Sequence, residues 1–225
     1  MAVSKLVVLK LSGHLINRRE VIEDTLGRLK SLTEVAKFVL VPGGSVFADF
    51  VRELQGRIRF SDDTAHWLAI KAMEMYGTYI ASLDVSNTLL EAYDLAEVHD
   101  ALSRGKIPIL MPYRVVRTLD KLPHSWNVTS DSIAIHVGEL LKASLVVLAK
   151  PVDGILDSRG NLVREMCIEE LKLLSTNVID PYAVELLQHA KLQLAIYNML
   201  KPSILNYIIN EKPGDYTLIK HCSAI

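Results

Sequence analysis

The segment Lys5–Leu11 reads KLVVLKL and runs directly into Ser12 and Gly13. An apolar run of this length that stops at a glycine turn is typical of a strand buried on both faces of a parallel sheet. Residues 37–41, KFVLV, repeat the pattern and stop at the turn 42–45, PGGS. Helical spacing follows each turn, at residues 19–32 and 47–55. The first part of the chain therefore predicts two strand–helix units.

The same alternation continues along the rest of the chain. Further strands are predicted at residues 107–111, 144–149 and 192–197, with a last edge strand at 216–219. Further helices are predicted at residues 64–76, 130–142, 180–191 and 202–210. Short apolar strands separated by helices indicate an α/β fold, in which helices cover both faces of a mostly parallel sheet.

The composition is that of a globular protein and disfavours several other classes. Of the 225 residues, 50% are hydrophobic, which is enough for a large core, and the net charge of −1 gives no reason to expect nucleic-acid binding. The apolar run at residues 6–9 is too short for a signal segment or a membrane span. Cys167 and Cys222 form no CxxC and no metal-ligand spacing. We therefore expect free thiols in a reducing cytoplasm.

A polar cluster stands at residues 122–134, LPHSWNVTSDSIA, just before a helical pattern. It combines a histidine, a tryptophan and an asparagine with one carboxylate and several hydroxyls. Free N–H groups in the first turn of a helix attract anions, which favours a ligand site here. The same residues also suit a simple helix cap, with Thr129, Ser130 or Asp131 at the cap position. The segment alone leaves both interpretations open.

Glycine turns at two strand ends favour the ligand site. In a parallel sheet, ligands bind beyond the carboxyl ends of the strands, and glycine lets the backbone approach a phosphate. Lys10 brings a cation to the first turn, and Asp153 and Gly154 follow the strand predicted at 144–149. None of these segments is a P-loop or a GxGxxG fingerprint, so a P-loop NTPase and a Rossmann dehydrogenase are disfavoured. The pattern predicts another kind of phosphate-handling cleft.

Four motifs resemble, in the same order, those of the amino acid kinase superfamily, which includes acetylglutamate, aspartate, carbamate, uridylate and isopentenyl phosphate kinases. They are KLSG at 10–13, PGGSVFAD at 42–49, TSDSIA at 129–134 and VDGI at 152–155. The resemblance implies a three-layer αβα sandwich, a single domain over residues 1–225 with an acceptor lobe at about 1–140 and a nucleotide lobe at about 141–225. It also implies a cytoplasmic homo-oligomer that transfers a phosphoryl group from ATP, with Mg²⁺ carried by the nucleotide, to a small molecule.

Within the superfamily, the chain is similar to the small archaeal and methylotroph kinases of methanofuran biosynthesis. The similarity lies in PHSWNVTSDSIA at 123–134, in the second turn with its helix, and in AHWLAIKAM at 65–73. It implies that (5-(aminomethyl)furan-3-yl)methyl phosphate is converted to its diphosphate. Two alternatives stay open: a uridylate kinase-like enzyme acting on UMP, and a non-catalytic protein of the same fold that binds a nucleotide or an oxyanion.

The resemblance also implies roles for individual residues. The residues expected to be catalytic are Lys10, Asp131 and Lys150. Those expected to bind phosphate or nucleotide are Ser12, Gly13, His14, Gly43, Gly44, Asp153 and Gly154. Those expected to bind the acceptor are Ser45, Asp49, His66, His124, Trp126, Asn127 and Thr129. No residue is expected to bind a metal ion directly.

The chain departs from the family pattern in several places. Ser45 replaces the third glycine of the second turn, and His14 follows Gly13 where serine or glutamate is usual. A late GGMxxK segment, which often carries a second lysine, is missing, as is a DPK run after VDG. Lys150 is therefore the expected source of a second cation. Three arginines suit solvent as well as the acceptor site, namely Arg52, Arg57 and Arg59.

Overall fold

The computed structural model describes residues 5–174 and 176–222, and this part of the chain forms one sheet with helices on both sides. The strands are β1 (Lys5–Leu11), β2 (Ala36–Pro42), β3 (Leu89–Ala92), β4 (Ile107–Leu110), β5 (Leu145–Lys150), β6 (Glu165–Cys167), β7 (Gln193–Asn198) and β8 (Tyr216–Lys220). The helices are α1 (Arg19–Leu32), α2 (Ser45–Ile58), α3 (Asp62–Ser82), α4 (Leu95–Ser103), α5 (Pro112–Leu119), α6 (Ser130–Leu140), α7 (Ile168–Leu173), α8 (Pro181–His189) and α9 (Ile204–Ile209). A short 3₁₀ turn, Gly13–Asn17, follows β1.

The described strands lie in the order β3-β4-β2-β1-β5-β7-β8-β6. Neighbouring strands are parallel except for β7 and β8, which are antiparallel. The prediction of a mostly parallel sheet is confirmed. Because β2, β1 and β5 are direct neighbours, their carboxyl ends meet at the centre of one edge of the sheet.

Alternate residues of β1 belong to different hydrophobic cores. Val7, Leu9 and Leu11 share one core with side chains of α1 and α9. Val8 shares the other core with side chains of α3, α5, α6 and α8. Helices thus cover both faces of the sheet, and the predicted three-layer αβα sandwich is confirmed. Lys10 follows the alternation of Val8, so its side chain lies on the α6 side of the sheet.

The longest described helix, α3, has 21 residues and begins with Asp62 and Asp63. Further along, the exposed Lys71 and the half-buried Glu74 interrupt its apolar pattern. Among the described residues, none of the helices combines the length and the hydropathy that a membrane span requires.

The structure contains short elements that the sequence pattern did not predict. They are β3, α4, α5, β6 and α7. The three residues of β6 and the four of β3, LLEA, are too short to show a period of their own. The strand predicted at 216–219 is present as β8, but its predicted place at the edge of the sheet is wrong, because β6 pairs with β8 on its outer side.

The expectation of free thiols is also wrong. Cys167 and Cys222 form a disulfide, with their Cα atoms 5.5 Å apart. The register of the sheet explains the contact, because Cys167 is paired with Lys220 and Cys222 lies two residues further on. Sequence spacing alone could not reveal this neighbourhood, since β6 was not predicted. The cysteines therefore no longer support a reducing environment.

Candidate active site

The turns that follow β1 and β2 pack directly against each other. The N–H of Gly43 donates to the carbonyl oxygen of Leu11 at 2.9 Å. A Cβ atom on Gly13 would lie 2.2 Å from the nitrogen of Ser45, and a Cβ atom on Gly43 would lie 2.6 Å from the nitrogen of Gly13. Only a hydrogen atom fits at either place. The two glycines thereby set the start of α2 beside the end of β1.

Ser45 and His14 add polar groups to these turns. Ser45 opens α2 with φ +56°, a left-handed conformation that is uncommon for a residue with a side chain. Its Oγ atom is buried and has no hydrogen-bond partner within the described residues. Nδ1 of His14 lies 3.3 Å from Oγ of Ser12.

A single buried carboxylate joins two lysines where β1, β5 and α6 meet. Lys10 lies near the end of β1, Lys150 is the last residue of β5, and Asp131 lies in the first turn of α6. Nζ of Lys10 is 2.9 Å from Oδ1 of Asp131, and Nζ of Lys150 is 2.6 Å from Oδ2. Lys10 and Asp131 are 4% and 2% exposed. The fold thus brings together the three residues expected to be catalytic.

The charges of this cluster depend on one another. Burial lowers the pKa of Lys10, with Asp131 opposing this effect and Lys150 adding to it. Burial alone would raise the pKa of Asp131, but the two neighbouring ammonium groups outweigh burial and hold the pKa of this carboxyl below its usual value. Asp131 is therefore ionised at neutral pH. With both lysines protonated, the cluster carries one net positive charge, which favours an anion such as phosphate.

The start of α6 is held by Asp180, a residue that the sequence analysis missed. Oδ2 of Asp180 accepts hydrogen bonds from N and Oγ1 of Thr129, at 2.9 and 2.7 Å, and from N of Ser132 at 3.1 Å. Oδ1 accepts from Oγ of Ser132 and, at 2.8 Å, from N of Ala183 in α8. Two N–H groups at the start of α6 are therefore bound to a carboxylate of the protein rather than left for a ligand.

Thr129 is the N-cap residue of α6. The interpretation of residues 122–134 as a simple helix cap is therefore correct for the start of the helix. The sequence predicted a helix from residue 180, and Asp180 with Pro181 is a familiar helix start. No local pattern, however, could show that the same carboxylate contacts α6.

A cavity of about 390 Å³ opens over the lysine–aspartate cluster. Ser12, Gly13, His14 and Gly44 line it on the side of the two turns. Its apolar lining comes from Ala65, Ala69, Ile70, Met73, Val128 and Ile133. Hydrocarbon side chains offer no hydrogen-bond partners, so this part of the cavity suits an apolar ring better than a sugar.

Most residues expected to bind the acceptor line this cavity, and two do not. The lining residues of this group are Ser45, Asp49, His66, Trp126 and Thr129. Asn127 has an exposed side chain outside the lining, and His124 stacks on His66 with ring centroids 4.5 Å apart. The cavity is thus reached by His66 and not by His124.

His66 and His124 differ sharply in their surroundings. His66 is 6% exposed, and its Nε2 atom has no hydrogen-bond partner in residues 5–174 and 176–222. Burial, together with repulsion from His124, lowers the pKa of His66 to about 4, so its ring is neutral at pH 7. The ring nitrogens of His124 lie 2.6 Å from Oδ1 of Asp63 and 2.7 Å from Oδ1 of Asp120. His124 therefore ties α3 to the end of α5.

Trp126 forms a polar and aromatic group with α2. Its Nε1 donates to Oε1 of Gln55 at 2.7 Å, and the guanidinium of Arg52 lies 4.3 Å from the centroid of its ring. Arg52 and Trp126 both line the cavity, so Arg52 belongs to the site, whereas Arg57 is exposed and lies 3.7 Å from Glu53. The electrostatic attraction between the guanidinium and the face of the indole ring helps to hold Arg52 in place, and Arg52 stays charged.

Two of the residues expected to bind phosphate or nucleotide follow β5 and lie outside this cavity. They are Asp153 and Gly154, and Gly43 of the second turn is likewise absent from the lining. Oδ1 of Asp153 accepts hydrogen bonds from Nζ of Lys201 at 2.6 Å and from Nδ2 of Asn198 at 3.2 Å. The bond from Lys201 is the main reason that the pKa of Asp153 is lowered. A Cβ atom on Gly154 would lie 2.3 Å from Oγ1 of Thr217, so this turn packs tightly on β8.

Comparison with known proteins agrees with the motifs and the fold. The model of the amino acid kinase family matches residues 5–198. The chain is 33% identical, over 204 residues, to (5-(aminomethyl)furan-3-yl)methyl phosphate kinase of Methanocaldococcus jannaschii, covering 87% of this chain and 92% of the relative. It is 27% identical to uridylate kinase of Psychromonas ingrahamii over 97% of this chain and 94% of the relative.

Solved structures show the same fold. UMP kinase from Ureaplasma parvum superposes with a TM-score of 0.75 at 17% identity, covering 98% of this chain and 97% of the other. Uridylate kinase from Archaeoglobus fulgidus gives a TM-score of 0.75 at 17% identity, covering 95% and 99%. The family model matches most of this chain, and the relatives of the chain include kinases of small molecules. This chain is therefore a small-molecule kinase that belongs to the amino acid kinase family.

Proposed function

We propose that this chain transfers the γ-phosphoryl group of ATP to (5-(aminomethyl)furan-3-yl)methyl phosphate and forms its diphosphate. The observation that carries the proposal is the ion-paired cluster of Lys10, Asp131 and Lys150 under a cavity with an apolar lining. The similarity to the kinase of Methanocaldococcus jannaschii over most of both chains supports this acceptor.

The reaction needs cations more than it needs a base. An oxygen of the acceptor phosphate, already ionised at neutral pH, forms a bond to the γ-phosphorus, while the bond to the β,γ-bridging oxygen breaks and ADP leaves. Negative charge develops on the transferring and leaving oxygens. Lys10 and Lys150 stabilise this charge from a fixed position, and Asp131 holds both ammonium groups in place.

We also propose that Mg²⁺ enters the site bound to ATP rather than to the protein. The described residues contain no group of three or more His, Cys, Asp or Glu side chains arranged for a metal ion. Asp131, the buried carboxylate nearest to the reacting groups, faces an ammonium group with each of its oxygens. It is therefore poorly placed to be a metal ligand, and its role is that of a partner for the lysines.

The lining of the cavity favours a furan over a nucleoside. Ala65, Ala69 and Ile70 face the acceptor with hydrocarbon groups, which can contact a flat ring. Any hydrogen-bonding group of the uracil or ribose of UMP that faced these three side chains would be left unpaired. Asp49, which also lines the cavity, offers a carboxylate to the ammonium group of an aminomethyl substituent.

The test is ADP formation by the purified chain with Mg²⁺ and ATP against a panel of acceptors. The panel contains the furan phosphate, UMP, isopentenyl phosphate, acetylglutamate and aspartate. We expect turnover with the furan phosphate and at least tenfold lower kcat/KM with UMP. Turnover with UMP alone would replace the proposed acceptor. An increase in Tm with ATP but no turnover with any acceptor would support a nucleotide-binding protein without kinase activity.

A cytoplasmic location and a homo-oligomeric state remain parts of this proposal. ATP is available in the cytoplasm, which supports the location, although the disulfide removes the argument from free cysteines. Sedimentation of the purified chain tests the oligomeric state directly.

A further inference from the structure

Asp180 connects two helix starts through one buried side chain. It is 8% exposed, and its two oxygens accept five hydrogen bonds from Thr129, Ser132 and Ala183. Ala183 belongs to α8, whereas Thr129 and Ser132 lie at the start of α6. The carboxylate also lies where both helix dipoles present their positive ends, an arrangement that stabilises a negative charge.

Asp131 lies between the two residues that Asp180 holds. Ser132 directly follows Asp131 and donates both its N–H and its hydroxyl to Asp180. Thr129 precedes it by two residues and also donates both its N–H and its hydroxyl. The backbone on either side of Asp131 is therefore fixed, and its carboxylate has little freedom to leave Lys10 and Lys150.

Asp180 itself does not line the cavity, so it is not expected to contact ATP or the acceptor. Its negative charge nevertheless opposes the effect of burial on the pKa of Lys10. Any effect of Asp180 on the reaction must then pass through α6 and the lysine–aspartate cluster.

We propose that Asp180 is a positioning residue, which holds the first turn of α6 so that Asp131 keeps Lys10 and Lys150 aligned for phosphoryl transfer. This inference rests on the proposed function, because it assigns Asp180 a role in that reaction. A misplacement of about 1 Å in such a site lowers the rate by about 100-fold. Most of the cavity lining belongs to the turn after β1, to α2 and to α3 rather than to the first turn of α6, so we expect the loss mainly in kcat and not in KM.

The experiment compares Asp180→Asn and Ser132→Ala with the wild-type chain. Asp180→Asn keeps the size of the side chain but replaces one acceptor oxygen by a donor. Ser132→Ala removes one hydroxyl contact to Asp180 and leaves the bond from Ala183 that caps α8. We expect kcat to fall by about 100-fold in the first variant and about tenfold in the second, with KM for ATP and acceptor changed less than about threefold.

Asp94→Asn is the matched control, because Asp94 caps α4 by accepting from N of Glu97 at 2.9 Å and lies outside the cavity lining. We expect its kcat to equal that of the wild type. An equal fall of kcat in Asp94→Asn and Asp180→Asn would overturn the proposal. A wild-type kcat in both single variants, Ser132→Ala and Asp180→Asn, would overturn it as well. If Asp180→Asn does not fold, the kcat of Ser132→Ala decides alone.

Hydrogen exchange separates this proposal from the proposed function. The amides of Thr129 and Ser132 are measured in the absence of ATP, in the wild type and in Asp180→Asn. We expect faster exchange at both amides in the variant, even if the wild-type chain proves inactive with every acceptor tested. Unchanged exchange would overturn the positioning role whatever the activity.

Discussion

Lys10 and Asp131 form a buried ion pair, with 2.9 Å between Nζ and Oδ1, that links the end of β1 to the first turn of α6. Asp131 also has a second partner, because its Oδ2 atom lies 2.6 Å from Nζ of Lys150. Loss of one lysine therefore leaves the buried carboxylate with a partner. This property makes the contribution of Lys10 to the reaction separable from its contribution to folding.

Lys10→Ala is expected to lower kcat/KM by about 100- to 1,000-fold, because it removes one of the two cations that we propose to stabilise the transferring phosphoryl group. Lys150 still pairs with Asp131, so we expect a cooperative unfolding transition to remain. The matched control is Lys37→Ala, since Lys37 is an exposed lysine of β2. Steady-state kinetics and thermal unfolding check both variants. Unchanged turnover in Lys10→Ala would remove Lys10 from the site.

Gly13→Ala is expected to destabilise the chain by about 2–3 kcal/mol, because the added methyl group meets the backbone of Ser45. We also expect activity to fall, since the turns at the end of β1 and β2 must move apart. Gly27→Ala is the control: Gly27 lies in α1 with nothing within 4 Å of an added Cβ, so alanine should stabilise the helix by about 1 kcal/mol. Urea unfolding measures both. Equal stability of the two variants would contradict the close contact.

His66 makes the stability of the chain depend on pH. Its pKa of about 4 lies below the value of about 6.5 expected in the unfolded chain, so between these values the unfolded state binds more protons. Stability therefore falls as the pH falls from about 6.5 to 4, and from pH 7 to pH 5 His66 accounts for a loss of about 2 kcal/mol. The charged and titratable groups around it, His124, Asp63 and Asp120, remain in a His66→Gln variant.

Urea unfolding at pH 7 and pH 5 tests this prediction. We expect the difference between the two pH values to shrink by about 2 kcal/mol in His66→Gln relative to the wild type. Replacement of the exposed His99 by glutamine serves as the control and should leave the difference unchanged. If the free energy of unfolding depends on pH in the same way in His66→Gln and in the wild type, then His66 does not have the lowered pKa.

Asp49→Asn is expected to weaken the binding of an acceptor that carries an ammonium group. Asp49 lines the cavity, and the loss of its charge should raise KM for the aminomethyl acceptor by about tenfold, which corresponds to about 1.4 kcal/mol. The control is an acceptor in which methyl replaces aminomethyl, for which KM should not change. A similar change in KM for both acceptors would mean that Asp49 does not recognise the amine.

Cys222→Ser is expected to lower stability by about 4 kcal/mol, the chain-entropy value for a cross-link over 55 residues. Dithiothreitol should lower the Tm of the wild type to that of the variant and should leave the variant itself unaffected. A wild-type Tm that does not respond to the reductant would show that the two cysteines are not bonded in solution.

The sequence predicts the central strands well and the outer ones poorly, for a physical reason. Strands β1, β2, β5 and β7 are buried on both faces, and burial demands the apolar runs that make them visible. Strand β3 contains Glu91, and β6 has three residues with Glu165 exposed, so neither produces such a run. Without β6, the position of β8 inside the sheet and the disulfide could not be predicted.

The residues of the candidate site also fall into those that the sequence reveals and those that only the structure reveals. Lys10, Gly13 and Asp131 stand in motifs that are continuous in the sequence, and each motif could be recognised separately. Asp180 and Arg52 gain their places through contacts with distant segments: Asp180 reaches α6, and Arg52 lies over the ring of Trp126. Such contacts depend on how helices pack on the sheet, and a single sequence carries no local signal for them.

The mutual contact of the two turns has a consequence for how this chain can change. Neither Gly13 nor Gly43 can acquire a side chain unless the opposite backbone moves away. Gly13 faces Ser45 at the start of α2, and Gly43 faces Gly13 and the end of β1 at Leu11. A single substitution at either place therefore damages both turns at once, and no substitution at the other place compensates for it. Each turn therefore keeps the other constant, so that new acceptor specificities must arise on the opposite wall, along α3 and the segment before α6.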